Sequence, residues 1–202
     1  MKTAFVTGAT RKTGRAIAIA LSRSGWRVLA LGRDRSILEA LRADHGIEPL
    51  AMDLTDRDEM RAIMVNQHID ALVIATMRWP DTKPYVEYTE AEIDMAMEVN
   101  LAAALHLTRN VLPVMAARKS GAMVFVGPGK TPMRSTVQTT AEAAMTAFAA
   151  ALAAEYAESG LIIQCLDRDG QQPNETATRV VQMLDILPQH HPSRPATVET
   201  IY

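Results

Sequence analysis

The sequence predicts a doubly wound α/β fold, a parallel sheet of six or seven strands with helices on both faces. Short β-rich runs alternate with longer helical patterns along the chain, as stacked βαβ units require. A turn containing glycine follows the first of these runs and leads into the first helical pattern. Because no repeat or linker interrupts the 202 residues, we expect one domain over residues 1–202.

In the first half of the chain, apolar β-rich runs predict strands, and apolar residues at helical spacing predict helices. Pro49 has no backbone donor, which favours an edge position for the third strand. Thr55 followed by Asp58 resembles a capping box that opens the next helix. The predicted strands are Thr3–Thr7, Arg27–Leu31, Glu48–Met52 and Asp70–Ala75, and the first helices are Thr13–Ser24 and Asp34–Asp44.

In the second half, a long helical pattern contains Pro113, near which we expect a bend. Right-handed crossovers then predict the strand order 3-2-1-4-5-6-7. Ligands of such sheets bind at the carboxyl ends of the strands, between strands one and four, where the order reverses. The predicted elements are helices Glu90–Ala117, Ala141–Ser159 and Thr176–Leu187, and strands Gly121–Val126, Leu161–Leu166 and Ala196–Ile201.

The charge and cysteine content narrow the class of protein. A net charge of -2 gives no reason to expect nucleic acid or an anionic membrane as partner. Cys165 is the one cysteine, so no internal disulfide can form, and a reducing cytoplasm is the expected setting. No apolar stretch reaches the ~18 residues of a membrane span, and the chain does not open like a signal peptide. His190 and His191 have no third ligand at suitable spacing, so no metal is expected.

The first strand leads into a glycine-containing turn whose residues suit an anion. Gly8 permits the tight turn, Gly14 lets the helix pack close, and the helix N-terminus offers N–H groups to a pyrophosphate. Arg11, Lys12 and Arg15 crowd this positive end, which costs roughly 0.3–1 kcal/mol per charge unless an anion binds. A tolerated surface cluster is the alternative. The candidate binding residues here are Gly8, Thr10, Arg11, Lys12, Thr13 and Gly14.

This segment resembles the T-G-x-x-x-G-x-G fingerprint of the short-chain dehydrogenase/reductase family. Thr7, Gly8 and Gly14 match it, and Lys12 replaces the middle glycine. The resemblance extends from Lys2 to about Ile201 and implies a Rossmann-type dinucleotide-binding domain.

The resemblance also implies the cofactor. Arg33, at the end of the second strand, suits a 2'-phosphate, and Arg11 matches a second basic position of NADP-preferring members. NADP(H) is therefore expected over NAD(H), with a merely solvated arginine as the alternative. The family uses an acid at Asp53 for the adenine amino group, although a plain strand-end residue fits equally well. Leu54, Ala75 and Asn100 complete the expected cofactor-binding residues.

The family's catalytic residues are an Asn, a Ser, a Tyr and a Lys, and Asn100 alone matches them. Pro128 stands at the Ser position, and Gln138 and Glu142 stand at the Tyr and Lys positions. A Gln cannot supply a proton, and a Glu has the wrong charge to lower the pKa of a phenol. Tyr85 and Tyr88 stay open as substitutes, whereas Tyr156 lies roughly 21 Å along the helix from Glu142.

Other replacements fall on the same side of the expected site. Met77 stands where the family has a glycine, and Arg168 lies where a Pro-Gly pair is usual. Thr139, Thr140, Lys130 and Arg134 read as ordinary loop polarity rather than as a nucleophile or base. The family's segment that covers the substrate is largely absent, which leaves little to exclude water.

The residues expected around the adenine end of the cofactor are thus kept, and those expected around its nicotinamide end are replaced. This pattern favours a nucleotide-binding protein without conventional carbonyl reductase activity, acting as a regulatory or partner subunit. The alternative is an NADP(H)-dependent oxidoreductase with a rearranged active site, and a third possibility is a structural subunit with an empty site.

The helix at 141–159 consists mostly of alanine and is apolar almost all round, so we expect a partner on its outer face. Related family members pair this helix and the one at 90–117. The resemblance therefore implies a homodimer or tetramer through the same two helices.

Overall fold

A computed structural model describes residues 1–65, 67–127, 135–168 and 172–187. Six parallel strands form one sheet in the order β3-β2-β1-β4-β5-β6, which confirms the predicted arrangement for these strands. The sequence placed β3 at an edge, and the sheet has it there. The predicted seventh strand, Ala196–Ile201, lies outside the described residues. The strands are β1 (Thr3–Val6), β2 (Arg27–Gly32), β3 (Glu48–Ala51), β4 (Ala71–Ile74), β5 (Gly121–Val126) and β6 (Leu161–Leu166).

Helices cover both faces of the sheet, and six of the seven described helices present an apolar face to it. One core packs α1, α2 and α7 on the sheet, and a second core packs α3, α5 and α6 on the opposite face. The helices are α1 (Lys12–Arg23), α2 (Arg35–His45), α3 (Arg57–Val65), α4 (Glu90–Met97), α5 (Ala103–Ala117), α6 (Thr136–Glu155) and α7 (Pro173–Asp185). In the described ranges no helix is both long enough and apolar enough to cross a membrane.

The single helix predicted over Glu90–Ala117 is interrupted. A π-helical turn at Glu98–Ala102 separates α4 from α5, so the irregularity falls before Pro113, which lies inside α5. The Asn100 side chain explains the position, because its Nδ2 donates to the Ala96 carbonyl at 2.8 Å and competes with the regular backbone ladder.

The helix predicted at Ala141–Ser159 is also displaced along the chain. It begins five residues earlier as α6, since the Ser135 hydroxyl accepts from the backbone N–H of Gln138 at 3.1 Å and caps the new N-terminus. It ends at Glu155, and Tyr156 follows as the C-cap. Gln138 therefore lies in the first turn of a helix rather than in the loop before it.

The predicted capping box at Thr55 is wrong as well. Asp56 makes the helix-capping contact, because its carboxylate accepts from the backbone N–H of Glu59 at 3.0 Å. Thr55 instead donates to Asp53 through its backbone N–H and its hydroxyl.

Candidate functional site

A first cleft lies at the carboxyl ends of β1, β2, β3 and β4, and it includes the place between β1 and β4 where the strand order reverses. It is the position that the topology predicts for a ligand. The lining residues are Gly8, Thr10, Arg11, Leu31, Gly32, Arg33, Met52, Asp53, Leu54, Thr76, Met77, Arg78 and Val99.

The glycine turn under this cleft leaves no space for side chains. Gly8 has φ +68°, and a Cβ there would lie 2.7 Å from the Ala75 carbonyl oxygen. A Cβ on Gly14 would lie 2.4 Å from the Gly8 carbonyl oxygen. Gly14 therefore lets α1 approach the turn closely, as the sequence predicted, while Gly14 and Thr13 are buried beneath it and do not line the cleft.

Lys12 and Ala75 also lie outside the cleft lining. Lys12 is the first residue of α1 and is exposed, so both interpretations of its charge stay open. Ala75 is buried, and its backbone N–H donates to the Thr7 hydroxyl at 3.0 Å, which ties the end of β4 to the end of β1. Ala75 thus supports the turn from below.

Three arginines meet at the first cleft. Arg11 and Arg33 are exposed and come from the ends of β1 and β2, so the structure brings together the two residues expected at a 2'-phosphate. Arg78 is a third, which the sequence reasoning missed. The signal in the sequence is that Arg78 follows a buried strand at the predicted ligand edge, next to Met77.

Asp53 faces these three arginines, and one of its carboxylate oxygens already accepts hydrogen bonds from Thr55. Its Oδ1 accepts from the backbone N–H of Thr55 at 3.0 Å and from the Thr55 hydroxyl at 2.7 Å. Its Oδ2 lies 4.0 Å from Nη1 of Arg33. The backbone N–H of Thr55 is the largest cause that lowers the Asp53 pKa, and the Thr55 hydroxyl, Arg33 and Arg78 add to it against the effect of burial. Asp53 is therefore a charged acceptor at the cleft, with Leu54 buried beside it.

A second cleft adjoins the first at Thr76 and Met77, at the carboxyl ends of β4 and β5. Its lining is mostly apolar and draws on β4, the loop after it, β5 and α6. The lining residues are Ile74, Thr76, Met77, Trp79, Asn100, Phe125, Val126, Gly127, Ala141, Glu142 and Met145.

Asn100 holds one wall of the second cleft. Its Oδ1 accepts from the Arg78 backbone N–H at 2.8 Å, and its Nδ2 donates to the carbonyl oxygens of Arg78 at 2.7 Å and Ala96 at 2.8 Å. These bonds fix the segment after β4 against the π-helical turn. The residue that matches the family's catalytic set therefore has a clear positioning role.

Gln138 and Glu142 form a pair on the first turns of α6. Nε2 of Gln138 donates to Oε1 of Glu142 at 3.0 Å. Glu142 is buried, with 9% of its surface exposed, and it lines the second cleft. The structure thus brings Glu142, the residue that the sequence aligned with the family's lysine, to the second cleft, while Pro128 lies outside the described residues.

The tyrosines left open as proton donors do not line either cleft. The Tyr88 hydroxyl donates to the Asp81 carbonyl oxygen at 2.9 Å and accepts from the Lys83 N–H at 3.2 Å. Tyr85 is exposed in a short 3-10 turn, and Tyr156 follows the far end of α6. Among the described residues, then, no phenol replaces the one absent at Gln138.

Arg168 reaches across the strand ends at the edge of the second cleft. Its Nε donates to the Gly127 carbonyl oxygen at 2.9 Å, and its Nη2 lies 3.1 Å from Sδ of Met77. Both contacted residues line the second cleft. Met77 and Arg168, the two replacements noted in the sequence, therefore contact each other at the edge of the second cleft.

The remaining polar candidates are not assembled into a site. Thr139 and Thr140 are exposed on α6, and the Thr140 hydroxyl donates back to the Thr136 carbonyl oxygen at 2.9 Å. Lys130, Arg134 and the His190–His191 pair lie outside the described residues. Within the described part, no group of three or more His, Cys, Asp or Glu residues could hold a metal ion.

Comparisons with known proteins agree with this arrangement. The chain is 38% identical over 152 residues to an uncharacterized short-chain type dehydrogenase/reductase of Sinorhizobium fredii, covering 74% of this chain and 61% of the relative. It is 37% identical over 125 residues to a D-erythrulose reductase of Gallus gallus, covering 61% of this chain and 51% of that protein. The chain thus spans between half and two thirds of the length of these relatives.

A solved structure of a metagenomic short-chain oxidoreductase in complex with NADP superposes with a TM-score of 0.84 at 25% identity, covering 91% of this chain and 90% of the other. An actinorhodin polyketide ketoreductase variant with NADPH shares the fold, with a TM-score of 0.82 at 21% identity and coverage of 91% and 90%. The family model described as short chain dehydrogenase matches residues 2–182. The chain therefore belongs to the short-chain dehydrogenase family.

Proposed function

We propose that this chain binds NADP(H), with the adenosine half of the nucleotide in the first cleft. The observation that carries the proposal is the meeting of Arg11 and Arg33 over a turn kept free of side chains by Gly8. Guanidinium groups bind phosphate oxygens through charge-assisted hydrogen bonds, and the turn leaves backbone N–H groups at the helix N-terminus for a pyrophosphate.

The residues present fit such a nucleotide in its adenosine half. Gly8 has no Cβ, and this absence is what a close approach of the ligand to the backbone requires. The Thr76 hydroxyl, where the two clefts meet, is buried and has no hydrogen-bond partner in the described part of the chain. A bound ligand that reached this junction could satisfy it after rotation of the side chain.

Two functions are compatible with nucleotide binding. The first is an NADP(H)-dependent oxidoreductase with a rearranged active site, in which the nicotinamide supplies or accepts a hydride. Family membership supports this candidate, as do relatives named as reductases and a structural neighbour that binds NADP. These comparisons favour it over the catalytically silent subunit that the sequence alone favoured.

The second candidate is a catalytically silent regulatory or partner subunit, and one observation supports it. Gln138 and Glu142 hydrogen-bond to each other where the family has its proton-donating Tyr and its Lys. A carboxamide cannot act as a general acid, so this position has no donor for the proton that the conventional reduction of a carbonyl requires.

The proposal also includes a homodimer or tetramer in a reducing cytoplasm. The alanine-rich outer face of α6 supports the assembly. The one half-buried free thiol, Cys165, supports the reducing setting.

Calorimetric titration with NADPH, NADH and 2'-phospho-ADP-ribose tests the binding proposal. We expect NADPH to bind more tightly than NADH by about 10–150-fold, the value of one charge-assisted contact. Arg33→Ala should remove that preference, whereas Arg42→Ala on the exposed face of α2 should keep it. Equal affinity for NADPH in wild type and Arg33→Ala would show that the 2'-phosphate site is misplaced, and no binding of any of the three would refute the proposal.

A further inference from the structure

The first cleft carries more positive charge than the two expected arginines supply. Arg11, Arg33 and Arg78 line it, and Asp53 is the one acid among its described lining residues. Three arginines and one carboxylate give this lining a net charge of +2. Arg78 lies outside the two basic positions that the family resemblance implies, so the resemblance gives it no role.

Arg78 is held in place through its backbone. The buried Asn100 side chain accepts from the Arg78 N–H at 2.8 Å and donates to the Arg78 carbonyl oxygen at 2.7 Å. Arg78 is also half-buried. A fixed backbone limits the positions that the guanidinium group can reach, so less conformational entropy is lost when this group binds an anion.

Arg78 acts at the same end of the cleft as Arg33. Nη1 of Arg33 lies 4.0 Å from Oδ2 of Asp53, and the charges of Arg33 and Arg78 both contribute to lowering the pKa of Asp53. The two guanidinium groups therefore lie near one carboxylate, although Arg33 follows β2 and Arg78 follows β4. This is the end of the cleft where the proposed nucleotide has its adenosine.

We propose that Arg78 binds the 2'-phosphate jointly with Arg11 and Arg33, and that the cleft selects this phosphate in its doubly ionised form. The inference rests on the proposed function, because the 2'-phosphate belongs to the proposed nucleotide. A phosphate monoester carries a charge of about -1.5 to -2 at neutral pH. Arg11 and Arg33 together with Asp53 would leave one net positive charge, which matches a singly ionised phosphate, and Arg78 supplies the second.

Selection of the dianion makes binding depend on pH. The arginines stay charged, no histidine occurs among the described lining residues, and the pKa of Asp53 is already lowered, chiefly by the Thr55 backbone N–H. The 2'-phosphate, with a second pKa of about 6, is therefore the group at this site that changes charge between about pH 5 and 7. Because a net positive charge favours the dianion, the pKa of the bound 2'-phosphate falls below that of the free ligand.

The test compares ADP-ribose with 2'-phospho-ADP-ribose, which differ only in the 2'-phosphate. Calorimetry at neutral pH gives the ratio of the two affinities, and phosphorus NMR against pH gives the pKa of the bound 2'-phosphate. We expect Arg78→Met to lower the preference for the phosphorylated ligand about 5-fold, the upper value for a partly exposed ion pair. The same variant should raise the pKa of the bound 2'-phosphate towards about 6.

Two control variants separate the role of Arg78 from packing and from net charge. Arg78→Lys keeps the positive charge and should retain most of the lowering of the phosphate pKa. Arg23→Met removes an exposed arginine from the last turn of α1, at the end away from the cleft, and should change neither the affinity ratio nor the pKa.

An unchanged affinity ratio or an unchanged phosphate pKa in a folded Arg78→Met variant would overturn the inference, while a wild-type preference for 2'-phospho-ADP-ribose would keep the proposed function. Equal losses in Arg78→Lys and Arg78→Met, or in Arg23→Met and Arg78→Met, would also overturn it. If Arg78→Met does not fold, Arg78→Gln takes its place with the same two expectations. No binding of NADPH or of either ADP-ribose ligand to wild type would refute the proposed function and the inference together.

Discussion

Gln138 and Glu142 are four residues apart on one helix. They replace the family's Tyr and Lys, and the two replacements fit each other because they form a hydrogen bond. An amide donor beside a carboxylate is a favourable i,i+4 pair, worth about 0.2–0.5 kcal/mol on a helix surface. The two replacements are therefore compatible with each other, with the Gln138 amide donating to the Glu142 carboxylate.

From this pair we predict that ordinary ketones and aldehydes are not reduced with NADPH above a trace rate. General acid catalysis supplies about 10²–10⁴-fold, and the group that would provide it is missing. A carbonyl panel followed by loss of NADPH absorbance checks the prediction. Turnover near the ~1–10³ s⁻¹ of typical enzymes on any of these substrates would contradict it.

At the scale of elements, the sequence located every described strand within two residues, since buried parallel strands are distinct apolar runs. It misplaced helix ends, because those depend on single hydrogen bonds such as the one from the Gln138 backbone N–H to Ser135. It also missed the π-helical turn, where Asn100 bonds both to the Ala96 carbonyl oxygen and to the backbone of Arg78, 22 positions away. Local pattern could not reveal that contact.

The segment that carries Trp79 is anchored by a charged contact, and this gives a prediction at the same scale. Lys83 donates to both carboxylate oxygens of Glu92 at 2.8 Å, and Thr89 forms a capping box with the same residue. The Lys83 contact is the largest cause that lowers the Glu92 pKa from 4.5 to about 2. Because the folded pKa is lower than the unfolded one, the contact stabilises the fold above pH 4.5 and is lost as pH falls towards 2.

Carbon-detected NMR of the Glu92 carboxyl should therefore show a midpoint near 2 in the native protein. Lys83→Met should raise that midpoint, because it removes the largest cause of the shift. Arg42→Met, on the exposed face of α2, is the control and should not move it. An unchanged midpoint in Lys83→Met would mean that the capping box alone holds the carboxylate.

At the scale of the whole molecule, the parallel topology explains what could be foreseen about the site. Strand ends of a doubly wound sheet meet at one edge, so the sequence positions of Gly8, Arg33 and Asp53 were enough to predict the first cleft. The second cleft was not predictable as a shape, because Trp79 and Met145 come from distant segments that meet only through packing. The sequence could identify the missing catalytic groups there but not what surrounds their replacements.

The last prediction concerns assembly. The outer face of α6 exposes a row of small residues, including Ala143, Ala147, Ala150 and Ala154, on a helix whose other face packs in the core. Val114 on α5 is half exposed close to the C-terminal end of that helix. Small side chains allow two helices to approach closely, and a two-fold contact would pair the same face on both copies.

We therefore expect a homodimer or tetramer by light scattering at micromolar concentration. Ala147→Glu would place a carboxylate without a partner in the centre of the contact. Removal of one partner from a buried ion pair costs about 3–5 kcal/mol, and a comparable cost here would weaken association by about 10²–10⁴-fold. Ala40→Glu, on the exposed face of α2, is the matched control and should leave the assembly intact. A wild-type monomer would contradict the predicted assembly. An assembly that tolerates Ala147→Glu would place the contact elsewhere, because a charge buried at a close helix contact has no route to solvent.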